Sequence, residues 1–382
     1  MRILVLILVL FLSGCSVQNS NYNSQNQVNI PKEGSYASGT YPSAAALSGS
    51  SYTQAVADKK CAEAWAYFKQ ELLQPSGAVS RTDDNTVVSE GQSYGMMLAV
   101  QNNDQAAFDK IWLWTKTHMQ DTNPYGLFSW QTDSSGEVLS YEPAPDGEEM
   151  IAMALYFASH RWGNKAAPYD YSVQAKKILD NILKYEMTSD YYLTFNVSDK
   201  NIFNLSYYMP AFYRLFAIYT SDNIWNTVAK NGYDLIDRSK NAATGLVPDW
   251  SNKDGSLQST GRDFYYDAMR VPFQVALDAV WFGATEPRAK TYLDKIIGFF
   301  GPQYDTFGNR YSLGGTKTRD DHVVSWIGSF AGSAMGGSSN TDKVNFFNHL
   351  MAQPLPTGQY RYYEICWLNF GLLMASGNFR IY

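Results

Sequence analysis

The chain has 382 residues, enough for a sizeable buried core and for one to three domains. Its net charge of −6 and pI near 5.3 provide no basic stripe for a phosphate backbone, which argues against nucleic acid as a partner. Aromatic side chains make up 15% of it, with 28 Tyr and 10 Trp, and such an excess of amphipathic rings suits a surface that stacks on flat partners such as sugars.

Met1 and Arg2 precede the apolar run ILVLILVLFL, which is too short to span a bilayer comfortably and reads as a signal peptide. Leu12-Ser13-Gly14-Cys15 resembles a bacterial lipobox, so residues 1–15 are expected to be a lipoprotein signal with Cys15 acylated. The expected location is then outside the cytoplasm, on a periplasmic or cell-surface face, anchored to the membrane through Cys15. Residues 16–52 are rich in Ser, Asn, Gln and Gly without aliphatic periodicity, and are expected to form a flexible tether. Two further cysteines, Cys61 and Cys366, either pair or remain buried thiols.

From Cys61 onward the pattern is helical in blocks of two kinds. Amphipathic blocks run from Cys61 to Leu73, Asp104 to His118, Ser172 to Tyr185, Asn223 to Arg238, Pro287 to Phe300 and Thr341 to Leu350. Between them lie blocks that are apolar nearly all round and rich in Ala, Gly and Met. These run from Glu90 to Val100, Glu148 to Ser159, Ser206 to Tyr219, Asp267 to Trp281, His322 to Met335 and Tyr363 to Ala375. Six outer helices thus alternate with six inner ones, most inner blocks starting about 55 to 60 residues after the last, and the pattern predicts a repeated helix hairpin. The last block is as apolar as the middle ones, so an open array would lack its polar cap. The expected fold is all-α, an (α/α)6 barrel over residues 53–382.

In such a ring the inner helices all start at one rim. Glu90, Asp146, Tyr207, Asp267, His322 and Tyr363 would converge there, beside Trp130, Tyr141 and Tyr266. Ser89 with Gln92, and Asp146 with Glu149, have capping-box spacing; Arg270 follows Asp267 by three residues, which sets the guanidinium against the carboxylate. No metal motif appears, since the four His are scattered and neither HExxH nor paired Cys-x-x-Cys occurs; no cofactor is expected. Carboxylates flanked by aromatic platforms are what glycoside hydrolysis requires: an acid to protonate the leaving oxygen and a second carboxylate opposite.

The stretches SEGQSYGMM, GLFSWQ, PAPDGEEMIAMALYFASHRWG, LSYYMPAFYRLF, FYYDAMRVPFQVALDAVWFG and RYYEICW, in this order, resemble glycoside hydrolase family 8, nearest its xylan-active, reducing-end xylose-releasing branch. The resemblance implies an inverting hydrolase of β-1,4-xylosidic bonds in xylo-oligosaccharides or xylan; a monomer is the expected state. It implies Glu90 as general acid, Asp267 as general base and Asp146 as the residue that binds the distorted sugar. Trp130, Tyr207, Arg270, His322, Tyr363 and Tyr266 are the implied substrate-binding and supporting residues. Two positions depart from that branch. The run Asp321-His322-Val323 stands where those enzymes carry a Leu-His-Pro loop that blocks the cleft, which keeps an endo-acting xylanase open as the alternative; Tyr208 stands where they often carry His. An endoglucanase of the same family and a non-catalytic glycan-binding lipoprotein are the further alternatives.

Overall fold

A computed structural model describes residues 30–382; the signal segment and Cys15 lie outside the described residues. Helix α1 (Gly34–Ser38) is followed by α2 (Gln54–Glu71) and α3 (Ser89–Gln101), then α4 (Gln105–Thr115) and α5 (Pro145–Trp162). After these come α6 (Tyr171–Tyr185) and α7 (Pro210–Thr220), α8 (Ile224–Ser239) and α9 (Val271–Phe282), α10 (Pro287–Phe300) and α11 (Val324–Ala334), and α12 (Asn340–Ala352) and α13 (Arg361–Ala375). The odd-numbered helices from α3 to α13 form the inner ring and the even-numbered ones the outer. Each inner helix packs on the next, and α13 returns to α3, so the ring closes into an (α/α)6 barrel.

Burial explains the two kinds of block. In α8 the buried side chains Trp225, Val228, Ala229, Leu235 and Ile236 make one stripe, whereas in α3 every residue except Glu90 is buried. Small residues let the inner walls touch. A Cβ placed on Gly328 of α11 would lie 2.2 Å from the Trp367 carbonyl oxygen of α13, so only glycine permits that approach.

Among the described residues seven short strands decorate the barrel: β1 (Val87–Val88), β2 (Gln131–Thr132), β3 (Val138–Ser140), β4 (Phe203–Asn204), β5 (Trp250–Ser251), β6 (Arg310–Tyr311) and β7 (Lys317–Arg319). They pair antiparallel as β1-β2-β3, β4-β5 and β6-β7, in the loops that lead into inner helices. At two or three residues each they are too short to show alternation in sequence.

The opposite end of the barrel is plugged. Phe379 packs on Trp281, Phe273 and Phe370, and Trp281 Nε1 donates to the Phe379 carbonyl. Residues 30–52 belong to this plug, which corrects the expected tether boundary at residue 52. Helix α1 packs on α9, Tyr36 packs on Phe282 with the rings tilted and 5.6 Å apart, Ala44 is fully buried, and Tyr41 Oη accepts from the Ile381 amide at 2.9 Å. Small side chains and two tyrosines seal this end without helical periodicity, so the composition disguised the packing. Cys61 and Cys366 are separate buried thiols, with Cys61 Sγ 3.4 Å from Ser376 Oγ. Among the described residues no helix is long and apolar enough to cross a membrane.

Candidate active site

The inner helices start in an unusual way. Four of the six outer helices, α2, α4, α10 and α12, are capped by Thr53, Asp104, Glu286 and Ser339, but none of the six inner helices is capped by its own N-cap residue, α11 instead receiving Glu364 of α13 on its Ser325 amide at 2.7 Å. Neighbouring strands and prolines replace the caps. The Ser89 amide donates to the Trp130 carbonyl at 3.0 Å, and Pro145 and Pro210 begin α5 and α7 without an N–H to satisfy.

Both expected capping boxes are therefore corrected. Gln92 is buried and donates to Thr115 Oγ1 at 2.7 Å, while Glu149 accepts from Tyr213 Oη at 2.7 Å. The polar side chains of the rim are left free to face a cleft of about 1140 Å³. Tyr207, Asp267 and His322 sit just before their helices rather than inside them.

Arg270 organises the floor of this cleft. It is 4% exposed, and its Nη1 donates to Glu90 Oε2 at 2.9 Å and to Asp146 Oδ2 at 2.8 Å, while Nη2 donates to Asp267 Oδ1 at 2.6 Å. The planar fork thus ties together carboxyls from three walls of the barrel. Glu90 and Asp146 come close because α3 and α5 do: a Cβ on Gly147 would sit 2.7 Å from Ser89 Oγ. Tyr362 Oη donates to the other Glu90 oxygen at 3.1 Å. Glu90 and Asp267 keep 22% and 30% of their side-chain surface open, whereas Asp146 keeps 7%.

Burial pushes Asp146 up to about 7, against the pull of Arg270 and with the help of Glu90. It therefore holds a proton below neutral pH. Asp267 is held at both oxygens, since Asn204 Nδ2 and Trp250 Nε1 donate to Oδ2 at 3.0 and 2.8 Å. The β4-β5 register sets Asn204 opposite Trp250, which aims both donors at one carboxylate. Asp249 Oδ1 accepts from the Tyr265 and Ala268 amides and so builds the turn that carries Asp267. Burial and the charge of Asp267 push Asp249 up to about 8.

Aromatic rings line the walls. Tyr207 stacks on Phe195 and lies beneath the Arg270 guanidinium, and Tyr363 meets Tyr266 edge-on at 5.7 Å. Trp130 borders the cleft as well. His322 does too, but both of its ring nitrogens bond away from it, to Phe307 and His349. Tyr141 is exposed and is not part of the lining. Tyr208 is buried, with Oη donating to the Leu193 carbonyl at 3.0 Å, so it shapes the wall behind the site rather than a sugar position.

The sequence reading missed Tyr362, Trp250, Asn204 and Asp249. Tyr362 was within reach, being adjacent to Tyr363 at an inner-helix start. The other three depend on strand pairing and loop folding that leave no local signal. Among the described residues no group of three or more His, Cys, Asp or Glu side chains is arranged to hold a metal ion.

Residues 28–377 match the family model described as Glycosyl hydrolases family 8. The chain belongs to glycoside hydrolase family 8. It is similar to the reducing-end xylose-releasing exo-oligoxylanase Rex8A of Paenibacillus barcinonensis, at 33% identity over 93% of this chain and 100% of that enzyme. It is also similar to Endoglucanase C of Ruminiclostridium cellulolyticum, at 31% identity over 94% of this chain and 78% of that one. The solved structure of Rex8A complexed with xylose superposes with a TM-score of 0.81 at 32% identity, covering 92% of this chain and 100% of that one. The protein is accordingly a family 8 glycoside hydrolase.

Proposed function

We propose that this family 8 enzyme hydrolyses β-1,4-xylosidic bonds in xylo-oligosaccharides with inversion, releasing xylose from the reducing end. The observation that carries the mechanism is the Arg270 fork, which sets the open carboxyls Glu90 and Asp267 on separate walls of one cleft. An inverting enzyme holds its two carboxyls about 6.5 to 9.5 Å apart with a water between them, and we read Glu90 and Asp267, held from the two ends of one guanidinium, as that pair.

Glu90 donates its proton to the glycosidic oxygen as the C–O bond breaks. Asp267 takes a proton from the water that attacks the anomeric carbon from the opposite face. Asp146, neutral below pH 7, hydrogen-bonds the sugar whose ring is distorted toward the transition state. Trp130, Tyr207, Tyr266 and Tyr363 provide flat faces for the sugar rings.

Glu90→Gln tests the assignment: turnover of xylotetraose should disappear while the melting curve is kept, and retained turnover would refute it. Products from xylotriose, reduced xylotriose, long xylan and carboxymethylcellulose decide the substrate and cleavage mode together. Free xylose from xylotriose with none from its reduced form supports the exo reading. A ladder of oligomers from xylan replaces it with an endo-xylanase, and cleavage of carboxymethylcellulose alone with an endoglucanase. Tight oligosaccharide binding without hydrolysis would leave a glycan-binding protein.

One observation favours the endo alternative. His322 offers no free nitrogen to the cleft, and its neighbours Arg319, Asp320 and Asp321 are exposed, so this wall is open and polar.

We further propose that the enzyme is an exported monomer, anchored to a membrane by lipid on Cys15. Metabolic labelling with palmitate should mark the wild-type chain and not Cys15→Ala, and light scattering should give the mass of one chain.

A further inference from the structure

The His322 ring borders the cleft, yet it is turned toward the outer helix α12. Its Nδ1 lies 2.8 Å from the Phe307 carbonyl oxygen and so must carry a hydrogen. A neutral His322 then has only a lone pair at Nε2, and that atom is 2.8 Å from Nε2 of His349. His349 must therefore be the donor. The contact is built rather than incidental. Phe307 packs edge-on against His322 at 4.4 Å, Tyr304 does the same to His349 at 5.9 Å, and the Gln353 amide donates to the His349 carbonyl at 3.0 Å. No residue of α12 lines the cleft.

We propose that His349 is a positioning residue for the substrate cleft: it holds His322 outward, and loss of that bond frees His322 Nε2 to meet a sugar hydroxyl. The holding contact stands on geometry alone. Its effect on substrate rests on the reading of the cleft as a xylo-oligosaccharide site.

The pair has a defined response to acid. One added proton can be shared, with His322 donating to a His349 lone pair. A second sets N–H against N–H, and the rings must part. Burial lowers both imidazoles from the ordinary 6.5, and the charge of His322 lowers His349 further; the Phe307 carbonyl and Asp305 oppose this for His322 and Asp305 does so for His349, while Lys317, paired with Asp320, adds to it for His322. The pair is thus closed at neutral pH and opens on the acid side of 6.5.

The test uses the full chain with His349→Ala, His349→Gln, His322→Ala and the His322→Ala/His349→Ala double variant. Nitrogen NMR of the free wild-type protein at neutral pH should show hydrogen on His322 Nδ1 and none on Nε2, whatever the substrate proves to be. In His349→Ala the KM for xylotetraose at neutral pH should fall about three- to tenfold with kcat nearly unchanged, the worth of one added hydrogen bond. That change should vanish in the His322→Ala background, which a merely structural role of His349 would not predict. His349→Gln donates the same hydrogen bond without titrating. It should keep the wild-type KM at neutral pH and lack the fall in KM that the wild type shows on the acid side of 6.5. Hydrogen on His322 Nε2 at neutral pH, or an unchanged KM in His349→Ala, overturns the proposal. If the wild type turns over no xylo-oligosaccharide, a change of the His322 Nε2 signal between wild type and His349→Ala still decides whether His349 holds His322, and the substrate reading alone fails.

Discussion

Arg270→Lys keeps the positive charge on the cleft floor and removes the fork. Arginine spans three carboxyls because Nη1 serves Glu90 and Asp146 while Nη2 serves Asp267, at 2.9, 2.8 and 2.6 Å. A lysine ammonium is a point charge and reaches one side of that span, so at least one bond is lost. Hydrogen bonds to charged groups are worth about 1.5 to 3 kcal/mol, and if the loss falls mainly on transition-state positioning kcat should drop roughly ten- to two-hundredfold. The fold should persist, because a cation still faces the carboxyls and Asp146 can keep its proton at neutral pH. Arg270→Met removes the charge as well. Breaking a buried ion pair costs about 3 to 5 kcal/mol, partly offset here by protonation of Asp146. The measurements are kcat on xylotetraose, with melting curves for both variants. Arg270→Lys with more than a third of wild-type kcat and an unchanged melt would refute the claim that the guanidinium positions the acid and the base.

Trp250→Phe deletes one of the two donors on Asp267 Oδ2 and should lower kcat about tenfold with KM little changed; adding Asn204→Ala should lower it further, as steady-state kinetics will show. Asp249→Ala strips two amides of their acceptor in the turn before Asp267, so kcat should fall together with Tm, whereas Asp249→Asn, which keeps a carbonyl oxygen, should do less of both. Glu186 is fully buried with neither oxygen bonded, and burial pushes it and its neighbours Glu148 and Glu149 well above the ordinary carboxylate range. The native state then keeps protons that the unfolded chain releases above about pH 4.3, so stability falls as pH rises, by up to about 1.4 kcal/mol per pH unit for each group. Glu186→Gln should make that decline shallower and leave stability at pH 4 nearly unchanged; equal slopes in urea titrations across pH would refute this.

The helices were legible because the barrel writes two burial patterns into the chain. A wall buried on all sides, such as α3 or α11, must be apolar all round, and a helix facing solvent must not. The three carboxyls were legible for a related reason. Glu90, Asp146 and Asp267 are charges at the edge of apolar runs, where an ordinary core has no use for them. Their local explanation failed at Gln92 and Glu149, because the amides that a cap would satisfy are met by a strand from elsewhere or removed by proline. What lay beyond sequence reading is whatever depends on pairing across distance. Asn204 meets Trp250 through a strand register of two residues, and His322, in the loop before α11, meets His349 of the outer helix α12. The plug at residues 30–52 was hidden for another reason, since Ser, Gly and Ala look alike in a tether and in a tight seal.

The arrangement on Arg270 also answers a question that three carboxyls around one cation raise. Fully ionised, the group would carry two uncompensated negative charges beside a 4% exposed guanidinium, a costly state in a partly dry cleft. Asp146 is the most buried of the three and the one driven up to about 7, so it is the one that stays neutral. In the proposed cycle Glu90 gives up a proton and Asp267 gains one. The charges that remain then sum to the same total before and after bond cleavage, with only the carboxylate changing places across the fork. Arg270 therefore need not move as the proton does, and its fixed position between the walls lets the acid and the base exchange roles without rebuilding the floor. Above pH 7 Asp146 ionises, and this balance is lost in both halves of the cycle. An alkaline limb near that value in kcat/KM, absent from a neutral Asp146→Asn variant whatever its residual rate, is the signature this reasoning requires.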